Sequence, residues 1–188
     1  MEIIDLFKQP VARVVLNENL ISLLKFCLKI KKEDKGRKIS NVGGFQSKDI
    51  KLDLKEIKNL YNQITLHSNT FIKNILQIDK NVSLNNLWIN INGHKDYNMV
   101  HEHPFSKISG VFYVKTPKDC GNIVFLNDSK IANYINSNNI KEYNQYNSYS
   151  WFLPSVENTL YLFPSWFKHY TEPNLSNENR VSISFNLT

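Results

Sequence analysis

His101 and His103 stand on either side of Glu102 in the stretch MVHEHPF, and that spacing is chemically suggestive. In an extended strand alternate side chains share a face, so both imidazoles project together while Glu102 points the other way. Two neutral imidazoles on one face make a bidentate platform for iron, zinc, copper or nickel. The same triplet also suits a pair of polar residues at a sheet edge. A third histidine, His169, follows FPSWFK; Arg180 opens another strand-like run eleven residues later, with Ser182 on its face. A buried arginine keeps its charge and must find an anion. Arg180 is one of three arginines, with Arg13 and Arg37, in a chain that otherwise uses 20 lysines. Its planar fork grips a carboxylate through two bonds, as lysine cannot, and Ser182 can add a hydroxyl. On spacing alone, Arg180 also fits a solvated strand edge.

The elements that must position these residues change character near residue 84. Before it the pattern is mostly helical. Val11 to Leu16 reads as a strand, and Asn17 or Asn19 can cap a helix running to about Lys32. Leu20, Leu23, Leu24, Cys27 and Leu28 recur at helical spacing and form its apolar stripe. The stretch SNVGGFQ reads as a loop with a glycine pair. A second helix is expected from about Asp53 to Ile78, with Leu54, Ile57, Leu60, Tyr61, Ile64, Phe71, Ile75 and Ile78 on its apolar face.

From Leu84 onward, short β-type runs alternate with turn residues: 87–91, 99–103, 108–114, 122–126, 150–153, 159–163, 169–172 and 181–187. Strands at such regular spacing indicate a sandwich or barrel, and eight of them suggest a jelly roll. The fold class expected is mainly β with N-terminal helices: one domain over 1–188, in which a helical support region, 1–83, covers a jelly-roll core, 84–188. The polar segment 127–150 reads as a surface loop, or as a lid over a site in the barrel mouth.

The composition narrows the function classes. With 188 residues, 41% hydrophobic and 21% charged, the chain suits an ordinary globular domain and neither a disordered nor a fibrous one. No apolar run reaches the 18 or so residues that span a bilayer. MEIIDLFKQP lacks the basic flank of an export signal. Two isolated cysteines, Cys27 and Cys120, fit a reducing cytoplasm better than a disulfide scaffold. The net charge of +6 is concentrated: residues 25–38 hold seven Lys or Arg against two acids, which leaves +1 for the remainder. That distribution suits a solvated helix end better than a nucleic-acid groove.

At the histidines, arginine and serine the chain resembles the Fe(II)- and 2-oxoglutarate-dependent oxygenases. More narrowly it is similar to a branch of them found in marine bacteria and their phages. The resemblance rests on LFKQPV (6–11), GGFQS (43–47), HEHP (101–104), SGVFYV (109–114), FPSWFKH (163–169) and RVSISFN (180–186), spread over nearly the whole length. It implies a double-stranded β-helix with iron on its inner face. His101 and His169 match the family's two histidine ligands. His103 falls where most members carry Asp or Glu, so the usual two-histidine, one-carboxylate set becomes three histidines. Arg180 and Ser182 match the pair that grips the distal carboxylate of 2-oxoglutarate, and Tyr113 matches a tyrosine that hydrogen-bonds the same group. The cofactors implied are Fe(II), 2-oxoglutarate as cosubstrate, and O2. The activity implied is hydroxylation of a small molecule or peptide with release of succinate and CO2, without nucleic acid or membrane as partner.

Two other readings fit part of the pattern. A cupin-type metalloenzyme with three histidines and no 2-oxo acid would account for His103 but not for Arg180 and Ser182. A non-catalytic β-sandwich binding module would make the histidines incidental. Asn90 and Asn92 share one face of the strand before the H-x-H and read as solvent-facing polar residues or as pocket lining. His67 and His94 lie outside the motif. Trp88, Trp151 and Trp166 read as core or rim filling, and Cys27 as buried packing. The helical face could also meet a second copy of the chain as a homodimer.

Overall fold

The computed structural model describes residues 1–128 and 135–188. Strand β1 (Ala12–Val15) leads into helix α1 (Leu20–Glu33), and two short strands follow, β2 (Asn41–Val42) and β3 (Phe45–Gln46). A single 3-10 turn (Lys55–Ile57) runs into α2 (Lys58–Asn74). The rest is β: β4 (Leu84–Asn92), β5 (Tyr97–His101), β6 (Ile108–Lys115), β7 (Ile123–Leu126), β8 (Ser150–Leu153), β9 (Thr159–Pro164), β10 (His169–Thr171) and β11 (Arg180–Leu187). All eight expected strands form. The glycine-pair loop adds β2 and β3 as a two-residue rung in each sheet. Gly43 and Gly44 make the turn between them at positive φ, a backbone conformation that side chains disfavour.

The strands build two antiparallel sheets, ordered β1-β9-β6-β11-β4-β3 and β2-β5-β10-β7-β8. Consecutive strands repeatedly cross from one sheet to the other, as a jelly roll requires. Helix α1 is capped by Asn19, whose Oδ1 accepts from the Ser22 amide at 3.0 Å. Its buried face is Leu23, Phe26 and Cys27; Leu28, expected inside, is exposed, and Phe26 takes the inward place. Helix α2 ends at Asn74, so Ile75 and Ile78, expected on its buried stripe, lie beyond it and exposed. Among the described residues no helix is long and apolar enough to cross a membrane.

The distribution of polarity across the larger sheet matters most for function. In β4, Leu87, Ile89 and Ile91 pack outward with Leu60, Ile64 and Ile72 of α2, while Trp88 and Asn90 face the barrel interior. In β11, Val181, Ile183, Phe185 and Leu187 join the same outer core, while Arg180, Ser182 and Ser184 face inward. The period-two alternation of a half-buried strand is therefore present with its polar face inside the barrel and its apolar face under the helices. Between the sheets lies a small apolar cluster of Val111, Tyr113, Ile123, Phe125, Tyr161 and Phe163.

Candidate active site

His101 ends β5 and His169 begins β10, and the two residues are directly paired across the antiparallel ladder. His103 lies two residues past the end of β5, in a turn, and not on the strand as alternation suggested. There its amide donates to the Ser165 carbonyl at 2.9 Å, and its carbonyl accepts from the Ser106 amide at 3.4 Å. The three rings nevertheless converge. Their centroids lie 4.4 Å (101–169), 5.0 Å (101–103) and 5.2 Å (103–169) apart, and one nitrogen from each falls within 4.8 Å of the others.

The backbone settles the tautomers. Nδ1 of His101 sits 2.6 Å from the Met99 carbonyl, and Nδ1 of His169 sits 2.8 Å from the Phe167 carbonyl. A carbonyl can only accept, so both Nδ1 atoms carry hydrogen and both Nε2 atoms keep a free lone pair. Burial lowers the basicity of all three rings, holding His103 down to about 3 and His169 well below the ordinary imidazole range. The neighbouring histidines add to that effect at His103 and His169. Neutral imidazoles are the ligating form. Nε2 of His103 and Nε2 of His169 are 3.4 Å apart. Two nitrogens bound to one ion at about 2.1 Å stand roughly 3.0–3.4 Å apart for bond angles of about 90–109°, so the cluster fits a shared metal ion. Glu102 is exposed, and among the described residues no carboxylate joins the group.

Arg180 is 1% exposed. Its Nη1 donates to the Cys120 carbonyl (2.6 Å) and the Glu172 carbonyl (3.1 Å), and its Nη2 to Thr171 Oγ1 (3.0 Å). Every one of these acceptors is neutral, and the Glu172 carboxylate is turned away to the Asn122 amide and side chain. Three of the five guanidinium hydrogens are thus committed, and the cation has no anionic contact among the described residues. Burial pulls the Arg180 pKa downward, and the Glu172 and Asp96 carboxylates, near but not hydrogen-bonded to it, offset this only in part. Ser182 and Tyr113 are buried and directly paired across β11 and β6, and both line the same cavity as Arg180 and the histidines. Burial pushes the Tyr113 hydroxyl up to about 12, so it remains a hydrogen-bond donor.

All six expected site residues therefore meet in one cavity. Asn90 lines it too, 5% exposed, which corrects the solvent-facing reading of that residue; Asn92, at 2%, is also buried. Trp88 joins the lining, its ring 5.8 Å from that of His103, whereas Trp151 and Trp166 are about half exposed. Thr171, the Cys120 carbonyl and Asn98 were missed. Asn98 donates its amide to Thr171 Oγ1 and its side chain to Ser40 Oγ. A backbone carbonyl leaves no trace in residue type, but the alternation Trp88, Asn90, Asn92 could have flagged β4. The 127–150 loop leaves from the histidine end, where the Leu126 amide donates to the Lys168 carbonyl. Asn127 pins its base to Ser148 and Tyr149. Residues 129–134, which carry part of the lid expectation, lie outside the described residues.

Comparison with known proteins places this geometry. No curated protein matches the sequence. Among solved structures, a Pseudomonas putida prolyl-4-hydroxylase superposes with a TM-score of 0.68 at 11% identity, over 95% of this chain and 92% of its own. The epimerase SnoN from nogalamycin biosynthesis, solved with Fe3+ and α-ketoglutarate, gives 0.69 at 10% identity, over 96% and 79%. A viral collagen prolyl hydroxylase from Paramecium bursaria Chlorella virus-1, solved with 2-oxoglutarate, gives 0.60 at 10%, over 94% of each chain. At such identities the likeness shows a shared jelly-roll fold. A sequence match to the family described as "Putative 2OG-Fe(II) oxygenase" covers residues 86–186, the stretch that carries every histidine, arginine, serine and tyrosine of the site. The chain belongs to the 2-oxoglutarate- and Fe(II)-dependent oxygenase family.

Proposed function

We propose that this chain is a dioxygenase that hydroxylates its primary substrate while converting 2-oxoglutarate to succinate and CO2. His101, His103 and His169 hold Fe(II), and Arg180, Ser182 and Tyr113 hold the distal carboxylate of 2-oxoglutarate. When bound, iron and the 2-oxo acid together supply oxygen activation coupled to oxidative decarboxylation. The chain's own part is geometric and electrostatic. The Met99 and Phe167 carbonyls lock two imidazoles in the ligating tautomer. Arg180 lies beyond the histidines, hydrogen-bonded to Thr171 two residues along β10 from His169. It thereby sets the direction in which a diacid lies. The two guanidinium hydrogens left uncommitted, with the Ser182 and Tyr113 hydroxyls beside them, suit a carboxylate.

The observation that carries this reading is a fully buried guanidinium whose hydrogen-bond acceptors, among the described residues, are all neutral. A three-histidine metalloenzyme with no 2-oxo acid leaves that cation without a purpose. The primary substrate is a small molecule or a peptide, and both kinds appear among the similar structures: nogalamycin RO with SnoN, and a hypoxia inducible factor peptide with a Trichoplax adhaerens prolyl hydroxylase. Selectivity falls to the 127–150 loop, which rises from the histidine end of the barrel. Residues 1–83 act as support for the catalytic barrel within a single unit. Both cysteines are free and buried, which suits a reducing cytoplasm.

The test is anaerobic addition of 2-oxoglutarate to the Fe(II)-loaded protein, watching for the visible metal-to-cosubstrate charge-transfer band. The band is expected. Iron binding without a band moves the assignment to a three-histidine metalloenzyme of another kind, and a folded protein that binds no iron is a binding module.

A further inference from the structure

The segment between α1 and β2 carries charge that neither the metal cluster nor the Arg180 group uses. It runs from the helix end at Asp34 into the cavity wall at Ser40. There the Ser40 carbonyl accepts from the Met99 amide at 2.7 Å, and its hydroxyl accepts from Asn98 Nδ2 at 3.0 Å. Arg37 sits within the segment, its amide donating to the Gln46 carbonyl of β3 at 2.8 Å. The guanidinium lies over the face of Trp88, 5.8 Å from the ring centroid. Trp88 lines the cavity, and its ring is also 5.8 Å from that of His103. Arg37 and a candidate metal ligand thus share one indole as a neighbour.

The pairing of Arg37 is incomplete. Its Nη2 donates to Asp49 Oδ1 at 2.6 Å, while its Nε is buried with no hydrogen-bond partner. The Asp49 side chain is 48% exposed, and an exposed ion pair contributes about 0–1 kcal/mol. An incoming carboxylate can therefore displace Asp49 at little cost and take both Nε and Nη2 in a two-bond grip. The surroundings are basic. Residues 31–38 and 48–51 are tied side by side where the Lys48 amide donates to the Asp34 carboxylate at 2.7 Å. Together they carry six exposed lysines beside Arg37, against Glu33, Asp34 and Asp49. Neither stretch contains an aromatic residue on which a nucleobase could stack. Separated cations beside a cavity match carboxylates spaced along an extended chain.

We propose that the primary substrate is an acidic peptide and that Arg37 binds one of its carboxylates beside the cavity, while the neighbouring lysines meet the flanking charges. This rests on the oxygenase reading above, by which one oxygen atom enters a peptide C–H bond and the other enters succinate. The probes are two rhodamine-labelled peptide pools, a randomised residue flanked on both sides by glutamates or by glutamines. They are titrated anaerobically into the full chain loaded with Fe(II) and 2-oxoglutarate and followed by fluorescence anisotropy. The glutamate pool binds at least about tenfold more tightly, and added salt narrows the difference. Arg37→Gln weakens the glutamate pool about tenfold and leaves the glutamine pool unchanged. Arg37→Lys recovers part of the loss, and Lys73→Gln, on α2, changes neither pool. Circular dichroism reports folding, and Arg37→Met replaces the glutamine variant if that one does not fold. Admitting air then adds oxygen to members of the glutamate pool, read by mass spectrometry. Equal binding of the two pools, wild-type affinity in Arg37→Gln, or binding without oxygenation overturns the proposal. Tighter binding of an oligothymidine than of the glutamate pool assigns the surface to nucleic acid and overturns it too. Loss of the charge-transfer band in Arg37→Gln assigns Arg37 to the cosubstrate, with the same consequence. A wild type without that band removes the oxygenase reading, whereas a failed peptide titration with the band intact removes this proposal alone.

Discussion

Replacing Arg180 with methionine separates the cost of burying a cation from its use as an anchor. Without cosubstrate, the substitution strips three hydrogen bonds from the Cys120 and Glu172 carbonyls and Thr171 Oγ1. It also removes a charge that is 1% exposed and is hydrogen-bonded to no carboxylate among the described residues. Unpaired buried acceptors cost about 1–3 kcal/mol each, and an uncompensated buried ion costs several kcal/mol. The two effects oppose each other, so the unliganded variant unfolds within a few degrees of wild type. The liganded proteins should differ sharply. At a 2-oxoglutarate concentration about 100 times Kd, binding stabilises wild type by about 2.7 kcal/mol. For a chain of 188 residues, that raises Tm by roughly 5–11 °C at about 2–4 °C per kcal/mol. Losing two hydrogen bonds to a carboxylate costs roughly 3–6 kcal/mol, which weakens binding at least about a hundredfold. At the same ligand concentration the variant then gains about 0.4 kcal/mol or less, a shift of about 2 °C at most. The assay is anaerobic thermal unfolding of the Fe(II)-loaded proteins with and without 2-oxoglutarate. A variant that keeps the full wild-type shift refutes the anchor, and with it the argument from the unpaired guanidinium.

Three further outcomes follow from the geometry. His103→Ala removes one of three converging nitrogens and should lower Fe(II) affinity at least about tenfold, read by anaerobic chelator competition; unchanged affinity places His103 outside the metal site. Cys27 is fully buried, with its thiol pushed up to about 12, so at pH 8 almost none of it is thiolate. A thiol reagent should modify it only after denaturant is added, and rapid labelling of the native protein contradicts its packing. A methyl group on Gly110 would run into the Phe185 ring and the Tyr161 carbonyl, so Gly110→Ala should destabilise the fold by about 3 kcal/mol or more in urea unfolding. A loss below about 1 kcal/mol would mean that β6 and β11 sit further apart than described.

How much of this was legible in sequence depends on the kind of interaction. The strands were legible because each is a short β-type run closed by turn residues, and β11 could be read to the side chain: Arg180 and Ser182 share a face because alternation requires it. For His103, alternation is an incomplete guide. Alternation would place it on the strand, whereas it reaches the cluster from a turn fixed by hydrogen bonds with Ser165 and Ser106. The partners of Arg180 were illegible because two of them are main-chain carbonyls, which every residue type supplies. The rungs β2 and β3 were illegible because strands of two residues have no periodicity, and only the pairing of Asn41 with Asn98 and of Phe45 with Ile91 defines them. In α2, the apolar spacing continues through Ile75 and Ile78 after the helix has ended, so periodicity alone overran the boundary.

The polarity of the larger sheet ties these parts together. A jelly roll that filled its interior with leucine and valine would have no room for a cation, three imidazoles and a diacid. Here that burial is moved outward: Ile57, Leu60, Ile64 and Ile72, all at 0% exposure, meet Leu87, Ile89, Ile183 and Phe185 on the far face of the same strands. Each strand of the pair β4 and β11 therefore carries both halves of the design, the odd positions holding the fold together and the even positions building the site. The helical half of the chain is what permits this, because without α2 the outer face of β4 and β11 would be exposed and apolar. The stretch before residue 84 contributes almost no chemistry of its own, yet it allows the strands after it to turn their polar residues inward.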